Sequence, residues 1–321
     1  MRFPFLIFFF ASFTLVFSNY STATAQQAVT PDSVTIAPPA WDFSGSGTIN
    51  FSQVSLSNWA AGGQSSLSAL GMASLQANYK KGKNTWNNVL GLTYGTIKLQ
   101  DQRVRKSEDK LEANIKYGRQ ASSDWFYTAQ VNFKSQLAPT YNLSRDTLLS
   151  NFLSPAFVLT SLGMDYKPNE KLSVFISPVT GKFTIVEDQR LADLGAFGVE
   201  AAVKDASGDP IAGTGKNLRR EFGGFVNVRY KSEVLKNVVL QSKLDLFSNY
   251  MRKAKNVDVN WENVVDLKVN SFLSASVFVH MIYDDDILIN VGRSKDGTSD
   301  IRGPRLQVKQ SIGIGLSYKF D

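Results

Sequence analysis

The chain has 321 residues, with 35 lysines and arginines against 28 aspartates and glutamates, a single histidine and no cysteine, so its formal net charge is +7. The missing thiols exclude disulfide frameworks, thiolate zinc sites and cysteine nucleophiles. One histidine is too few for a His-cluster metal site or for two-histidine acid–base chemistry.

Residues 1–25 have the organisation of a cleaved signal peptide. Arg2 supplies the positive start, residues 5–17 are almost wholly apolar, and residues 23–25 (ATA) form a small-x-small cleavage site. No other segment reaches the roughly 20 consecutive apolar residues that a transmembrane helix needs. We therefore expect an exported protein, with residues 26–42, which carry three prolines, as an extended periplasmic leader.

The basic excess is modest and is interleaved with acids along the chain. Residues 101–110, for example, read DQRVRKSEDK. A nucleic-acid surface needs a concentrated basic patch, so we expect no nucleic-acid partner.

From residue 43 onward, apolar and polar residues alternate, as expected of β-strands with one dry and one wet face. In the last segment, the even-numbered residues from Leu306 to Phe320 are apolar except for Gln310, and the odd-numbered ones are mostly polar or glycine. About twelve such segments are joined alternately by tight turns and longer loops, a pattern typical of outer-membrane barrels. The first hairpin is the exception, with a compact turn at residues 59–63. We predict an all-β fold: a transmembrane antiparallel β-barrel of about 12 strands over residues 43–321.

Aromatic residues provide an independent test, because a lipid-facing barrel carries them at both rims of its outer face. Several lie beside the predicted periplasmic turns or the C-terminus, with the parity of the apolar face. They are Tyr79, Trp86, Tyr117, Trp125, Tyr166, Tyr230, Tyr318 and Phe320. A secreted soluble sandwich also has alternating strands, but long strands with aromatic girdles fit a bilayer better. The predicted location is the bacterial outer membrane, with its lipids and its assembly machinery as partners.

Three segments resemble a known family: residues 58–64 (NWAAGGQ), 283–287 (YDDDI) and 313–320 (GIGLSYKF). They are similar to the domain-of-unknown-function family 3078, predicted outer-membrane β-barrel proteins of Bacteroidota, and the similarity runs across most of the mature chain. The resemblance implies a location and no activity, because that family has no established reaction. The terminal aromatic residue of such barrels is penultimate here, since Asp321 follows it.

Two groups invite a catalytic or metal-binding interpretation. His280 has the polar parity of its strand, but Ser276 on the same face lies too far along it to be an immediate partner. The rim carboxylates Asp284, Asp285 and Asp286 repel one another and lack EF-hand spacing, so salt bridges are preferred to a calcium site. We expect no catalytic residue, no cofactor and no bound metal.

The longest predicted loop, residues 187–219, has Leu191 and Leu194 at helical spacing, which predicts a short helix. Such a loop either folds inward as a constriction or lies at the surface.

The wet faces carry charges of both signs, and a barrel of about twelve strands is narrow enough for long side chains to bridge it. The predicted lumen charges, with the histidine, are Glu112, Lys116, Lys134, Arg229, Lys243, Asp245, Glu262, Asp266, Lys268, His280 and Lys309. The first hypothesis is a narrow channel for small hydrophilic solutes or ions. The second is a non-conducting structural barrel, or one that binds a surface or periplasmic protein. A third is an outer-membrane hydrolase.

Overall fold

The structure, a computed structural model, describes residues 40–55, 64–100, 102–142, 144, 146–252, 254–287, 289–293 and 300–320. The predicted signal peptide, most of the predicted leader and the predicted turn at residues 59–63 lie outside these ranges. Within them, no helix has the length and apolar character needed to cross a membrane.

The described part of the chain is mostly β-strand. Its first strands are β1 (Trp41–Val54), β2 (Ser66–Lys81), β3 (Asn84–Leu99), β4 (Arg105–Gln120), β5 (Trp125–Ser135), β6 (Thr140–Tyr141), β7 (Leu148–Ser150) and β8 (Ala156–Asn169). They are followed by β9 (Leu172–Ile185), β10 (Leu218–Leu235), β11 (Val238–Asn249), β12 (Asp258–Lys268), β13 (Leu273–Tyr283), β14 (Ile289–Arg293), β15 (Asp300–Gly303) and β16 (Gln307–Phe320). A short helix, α1 (Gln189–Asp193), and a 3-10 turn (Ala196–Gly198) lie between β9 and β10.

Twelve of the described strands close into one antiparallel barrel, in the order β1-β16-β13-β12-β11-β10-β9-β8-β5-β4-β3-β2. The barrel closes where β1 pairs with β16, from Gly45 opposite Phe320 to Phe51 opposite Ile314. Separate two-stranded hairpins, β6–β7 and β14–β15, lie within loops. A closed ladder leaves no free strand edge, and the predicted barrel is confirmed.

The connections distinguish the two ends of the barrel. At one end the strands are joined by short turns, such as the one at Gly82, whose φ of +56° suits a residue without a side chain. Both ends of the barrel sequence, Trp41 and Phe320, lie at this end too. The opposite end carries the long loops 136–155 and 186–217. In outer-membrane barrels the short turns are periplasmic and the long loops extracellular, so the first end is the periplasmic one and the second the extracellular one.

The outer face of the barrel is apolar. In β16, Ile312, Ile314 and Leu316 are 77%, 63% and 53% exposed, and on the adjoining β1, Ile49 and Phe51 are 52% and 61% exposed. Apolar surface of this extent is unfavourable in water and matches the lipid-facing band of a membrane barrel. A soluble sandwich would instead bury this face against a second sheet. The protein is an outer-membrane β-barrel whose outer face contacts bilayer lipids.

Aromatic rings line the periplasmic rim of this face. The ring of Trp41 lies 5.1 Å from that of Tyr79 and 6.4 Å from that of Trp86, and Trp86 lies 6.3 Å from Tyr117. The row therefore crosses four consecutive strands. Sequence reasoning missed Trp41, because β1 begins at this residue, two positions before the predicted start of the barrel at residue 43.

The rim continues on other strands. The rings of Trp125 and Tyr166 lie 4.9 Å apart, and those of Tyr318 and Phe320 are stacked at 6.4 Å. Tyr230 lies on the outer face of β10 and is half-buried. Rings at this level sit where bilayer headgroups meet water, an environment suited to amphipathic aromatic side chains.

The loop at residues 186–217 folds into a small packed unit. The predicted short helix is present as α1, although Leu191 is buried while Leu194 is 71% exposed. The buried cluster consists of Val186, Leu191, Ala192 and Val199, with Leu148 and Ala196 packed against it. Because Leu148 belongs to β7, this cluster joins the two long loops.

Asp188 fixes the start of α1. Its side chain accepts a hydrogen bond from Arg190 N at 3.1 Å and forms an ion pair with Arg190 Nη2 at 2.7 Å. Asn151 of the neighbouring loop also donates to it, at 3.2 Å. The hydrogen bonds from Arg190 and Asn151, with the charge of Arg190, lower the pKa of Asp188 to about 2.

Candidate functional site in the barrel lumen

Charged side chains from opposite walls of the barrel meet in the lumen. Lys243 Nζ of β11 lies 2.6 Å from Glu112 Oε1 of β4, and Lys110 Nζ of β4 lies 3.1 Å from Glu262 Oε1 of β12. Four strands separate β4 from β11 along one side of the ring and six along the other. These ion pairs therefore cross the lumen.

Lys134 of β5 extends this group, with its Nζ 3.7 Å from Asp245 Oδ2 and 3.9 Å from Glu112 Oε1. We call the whole group the lumen bar. Its members are Lys110, Glu112, Lys134, Lys243, Asp245 and Glu262. Three cations face three carboxylates, so the formal charge of the bar cancels.

Amide side chains connect the lumen bar to the surrounding wall. Asn227 and Asn260 donate to the two carboxylate oxygens of Asp245, at 2.6 and 3.2 Å. Asn260 Oδ1 also lies 2.6 Å from His280 Nε2. His280 is thus a hydrogen-bonded lumen residue.

The remaining predicted lumen charges lie apart from the bar. Asp266 accepts hydrogen bonds from Gln241 at 3.0 Å and Ser276 at 2.8 Å, both from strands next to its own. Lys268 ends β12 at the periplasmic side and is exposed. Lys309 of β16 pairs with Glu108 of β4, which sequence reasoning did not select.

A second charged group lies in the periplasmic half of the lumen. Asp165 Oδ2 lies 2.7 Å from Lys116 Nζ and 3.2 Å from Lys167 Nζ, while Ser173 Oγ donates to Asp165 Oδ1 at 2.7 Å. The side chain of Asp165 is fully buried and that of Lys116 is 6% exposed. Arg229 lies opposite Ser173 in the β9–β10 ladder, and Ser173 is the residue that donates to Asp165. Two cations therefore share one carboxylate, with Arg229 on the next strand but one.

A cluster of three buried phenylalanines faces the lumen. Sequence reasoning did not predict this cluster. Phe175, Phe225 and Phe247 are buried together on β9, β10 and β11. Lys116 Nζ lies 4.9 Å from the ring centre of Phe175, and Lys182 Nζ lies 4.8 Å from that of Phe247, distances suited to cation–π contact. The uninterrupted apolar run at residues 174–176 hides the inward position of Phe175 in the sequence.

The two sides of the lumen differ in packing. On the wall of β4, β5, β8, β9 and β10, many inward polar side chains are buried. They are Asn114, Lys116, Thr128, Gln130, Ser161, Asp165, Ser177, Thr180, Thr184 and Asn227. On the other wall, Glu112 of β4 lies opposite Gly91 of β3, Gly91 lies opposite Ser74 of β2, and Ser74 lies opposite Ser46 of β1. Gly91, Ser74 and Ser46 are all partly exposed. These small residues leave space beside the lumen bar.

Arg219 joins three elements at the extracellular mouth. Its Nη2 donates to Glu221 Oε1 at 2.7 Å and to Asp286 Oδ2 at 2.5 Å. The long loop lies against the same guanidinium, because a Cβ added at Gly198 would stand only 2.3 Å from Arg219 Nη1. The loop thus reaches the mouth at Arg219.

The other rim carboxylates are also engaged. Asp285 Oδ2 accepts a hydrogen bond from Asn256 at 2.6 Å, and Asp284 Oδ1 accepts one from Asp286 N at 2.8 Å. The described residues contain no cluster of His, Asp or Glu arranged to hold a metal ion. Among the described residues, the rim thus holds one ion pair, between Asp286 and Arg219, while Asp284 and Asp285 accept hydrogen bonds from neutral groups.

The chain is similar in part to one described family and to several solved structures. A family model described as "Protein of unknown function (DUF3078)" matches residues 51–141, a range that includes the NWAAGGQ segment. The COG4313 outer membrane channel from Pseudomonas putida F1 is 14% identical, with a TM-score of 0.39 over 91% of this chain and 99% of that one.

Two further solved barrels show similar values. The translocator domain of the autotransporter NalP from Neisseria meningitidis is 10% identical, with a TM-score of 0.36 over 90% of this chain and 91% of that one. The NanC porin is 9% identical, with a TM-score of 0.35 over 87% and 100% of the two chains. No curated protein matches the chain.

Proposed function

We propose that this outer-membrane barrel is a narrow channel for small hydrophilic solutes or ions, with no catalytic activity. The observation that carries the proposal is the unequal packing of the two lumen walls. The lumen bar occupies the centre and one wall is filled, whereas Ser46, Ser74 and Gly91 line a partly exposed strip beside the bar. Solutes would cross this row of small residues, passing between it and the lumen bar, over hydroxyl groups and backbone.

A bulky side chain on the strip tests the proposal. A Cβ added at Gly91 meets only Glu112 O, at 3.9 Å, so a side chain can start there without strain, and Gly91→Trp introduces an indole into the passage. Gly47 provides the matched control, because it faces lipid on β1 and a Cβ there meets no atom within 4 Å. The same substitution is thus made once on the lumen face and once on the lipid face.

Single-channel conductance in planar bilayers is the measurement. We expect small unitary steps from the wild type, a loss of at least about half of the conductance in Gly91→Trp, and wild-type steps in Gly47→Trp. Equal conductance in the two variants would show that solutes do not use this strip. The absence of steps in the wild type would reject the channel.

The alternative is a non-conducting barrel that binds a surface or periplasmic protein. The lumen bar favours it, because charge pairs that span the bore both occupy it and cancel the field that attracts ions. The packed loop unit around Val186 and Leu191 would then present the binding surface. A silent wild type in the bilayer measurement would support this reading.

A hydrolase has less support. The nucleophile–base contact that acyl transfer needs is not formed between Ser276 and His280, because Ser276 donates to Asp266 and His280 contacts Asn260. Insertion of the barrel by the outer-membrane assembly machinery stays a prediction.

A further inference from the structure

Arg229 points into the periplasmic half of the lumen with unsatisfied hydrogen-bonding capacity. Its Nε–H is buried and has no hydrogen-bond acceptor among the described residues. A buried donor without an acceptor is costly, and more so when the group carries a charge. The site is therefore suited to a bound acceptor.

The charges around Arg229 also favour the binding of an anion. Its partner across the β10–β11 ladder is Lys243, and like charges directly opposite each other destabilise a sheet. On the other side, Lys116 and Lys167 share the single carboxylate of Asp165. Arg229, Lys116 and Lys167 against Asp165 leave an excess of two positive charges, and Lys243 is already paired with Glu112.

We propose that Arg229 forms an internal anion site and that the channel selects solutes carrying a carboxylate or phosphate group. This inference rests on the proposed channel function for the selectivity, but not for the site. The Nε and Nη atoms of a guanidinium form a planar edge that binds two oxyanion oxygens at once. The neighbouring lysines would add attraction, which is screened less than in bulk water because Lys116 is buried. An anion so bound would neutralise part of the excess charge.

Binding can be measured without conduction. The probe is inorganic phosphate, added to the folded full-length barrel in detergent at constant ionic strength, with chloride as the reference anion and thermal unfolding as the readout. We expect phosphate to raise the unfolding temperature of the wild type. Because a hydrogen bond to a charged group is involved, Arg229→Gln should need about tenfold more phosphate for the same shift.

Two variants separate a built site from a general field. Arg229→Lys keeps the charge but loses the planar edge, so it should recover only part of the phosphate effect. Lys231→Gln removes a cation two residues along the same strand, at an exposed position, and should bind phosphate as the wild type does. If Lys231→Gln and Arg229→Gln lose the effect equally, or if neither does, a specific site at Arg229 is rejected.

Reversal potentials in a KCl gradient test the selectivity. The wild type should prefer chloride over potassium, and Arg229→Gln should lower that preference. If the barrel binds phosphate through Arg229 but passes no current, the proposed channel function is wrong and the proposed anion site is retained. If the barrel conducts but phosphate does not change its unfolding temperature, the proposed anion site is wrong and the channel function is retained. The hydrogen-bond acceptor of Arg229 Nε would then be an ordered water.

Discussion

Lys243 and Glu112 stand on opposite walls of the barrel, yet Lys243 Nζ lies 2.6 Å from Glu112 Oε1. The same carboxylate lies 2.9 Å from Lys110 Nζ and 3.9 Å from Lys134 Nζ. Glu112 is thus the centre of the lumen bar, and three cations depend on it.

The first prediction concerns this centre. Glu112→Gln leaves Lys110, Lys134 and Lys243 with two carboxylates, so the bar should loosen and carry a net positive charge. Conductance should rise, with a shift of the reversal potential toward anions. Lys243→Met should also raise conductance but move the reversal potential toward cations. Shifts of the same sign in both variants would contradict a cross-lumen ion pair.

The second prediction concerns the two faces of β16. Ile312 faces lipid and is 77% exposed, whereas Ser311 lies on the opposite, lumen-facing side of the strand. Ile312→Arg should cost about 2–4 kcal/mol of folding free energy, because a cation near the middle of the strand enters hydrocarbon. Ser311→Arg should fold normally. Urea titration in lipid vesicles measures the unfolding free energy of both variants. Similar values would mean that the assignment of the lipid-facing and lumen-facing residues of β16 is wrong.

The strand count and the two faces could be predicted because both follow from local sequence. Residues two positions apart in a strand lie on the same face. Ile314 and Leu316 therefore identify the lipid-facing side of β16 without knowledge of the neighbouring strands. The tight turns and the aromatic rim are equally local. Trp41 was missed only because the proline-rich segment before it suggested a leader.

The pairing inside the lumen could not be predicted in the same way. Which inward residues meet across the bore depends on the stagger between strands and on bulges, which are properties of the closed barrel. Asp266 and Lys309 have inward parity, yet they contact different partners from those of the lumen bar. Asp165 also has inward parity, but its importance becomes visible only once Lys116 is seen beside it.

The third prediction concerns that buried pair. Asp165→Asn leaves Lys116 buried without a counter-charge, so the barrel should lose about 3–5 kcal/mol of unfolding free energy. Adding Lys116→Met should restore part of it, because the uncompensated charge is gone. Glu108→Gln is the matched control, since its pair with Lys309 is more exposed and should be worth about 1 kcal/mol or less. Equal losses in the two single variants would mean that burial does not matter here.

The fourth prediction concerns the pH response of the long extracellular loop. The hydrogen bonds from Arg190 and Asn151 lower the pKa of Asp188 to about 2. The backbone N–H of Gly213 and the side chain of Gln189 lower the pKa of Asp193 as well. A carboxylate whose pKa is lower in the folded state than its usual value of about 3.9 stabilises the fold above that value. This stabilisation is lost as the pH falls toward about 2.

Pepsin cleavage within the loop at residues 186–217 measures this effect, with an unfolded peptide in the same tube to correct for the protease's own pH dependence. The corrected cleavage rate of the wild type should rise between pH 4 and pH 2, while the barrel strands stay intact. Asp188→Asn should already be cleaved faster at pH 4 and should show a weaker rise. Combining it with Asp193→Asn should weaken the rise further, because the two carboxylates of this loop whose pKa is lowered by hydrogen bonds are then both absent. A rise that persists unchanged in the double variant would mean that other groups control the loop.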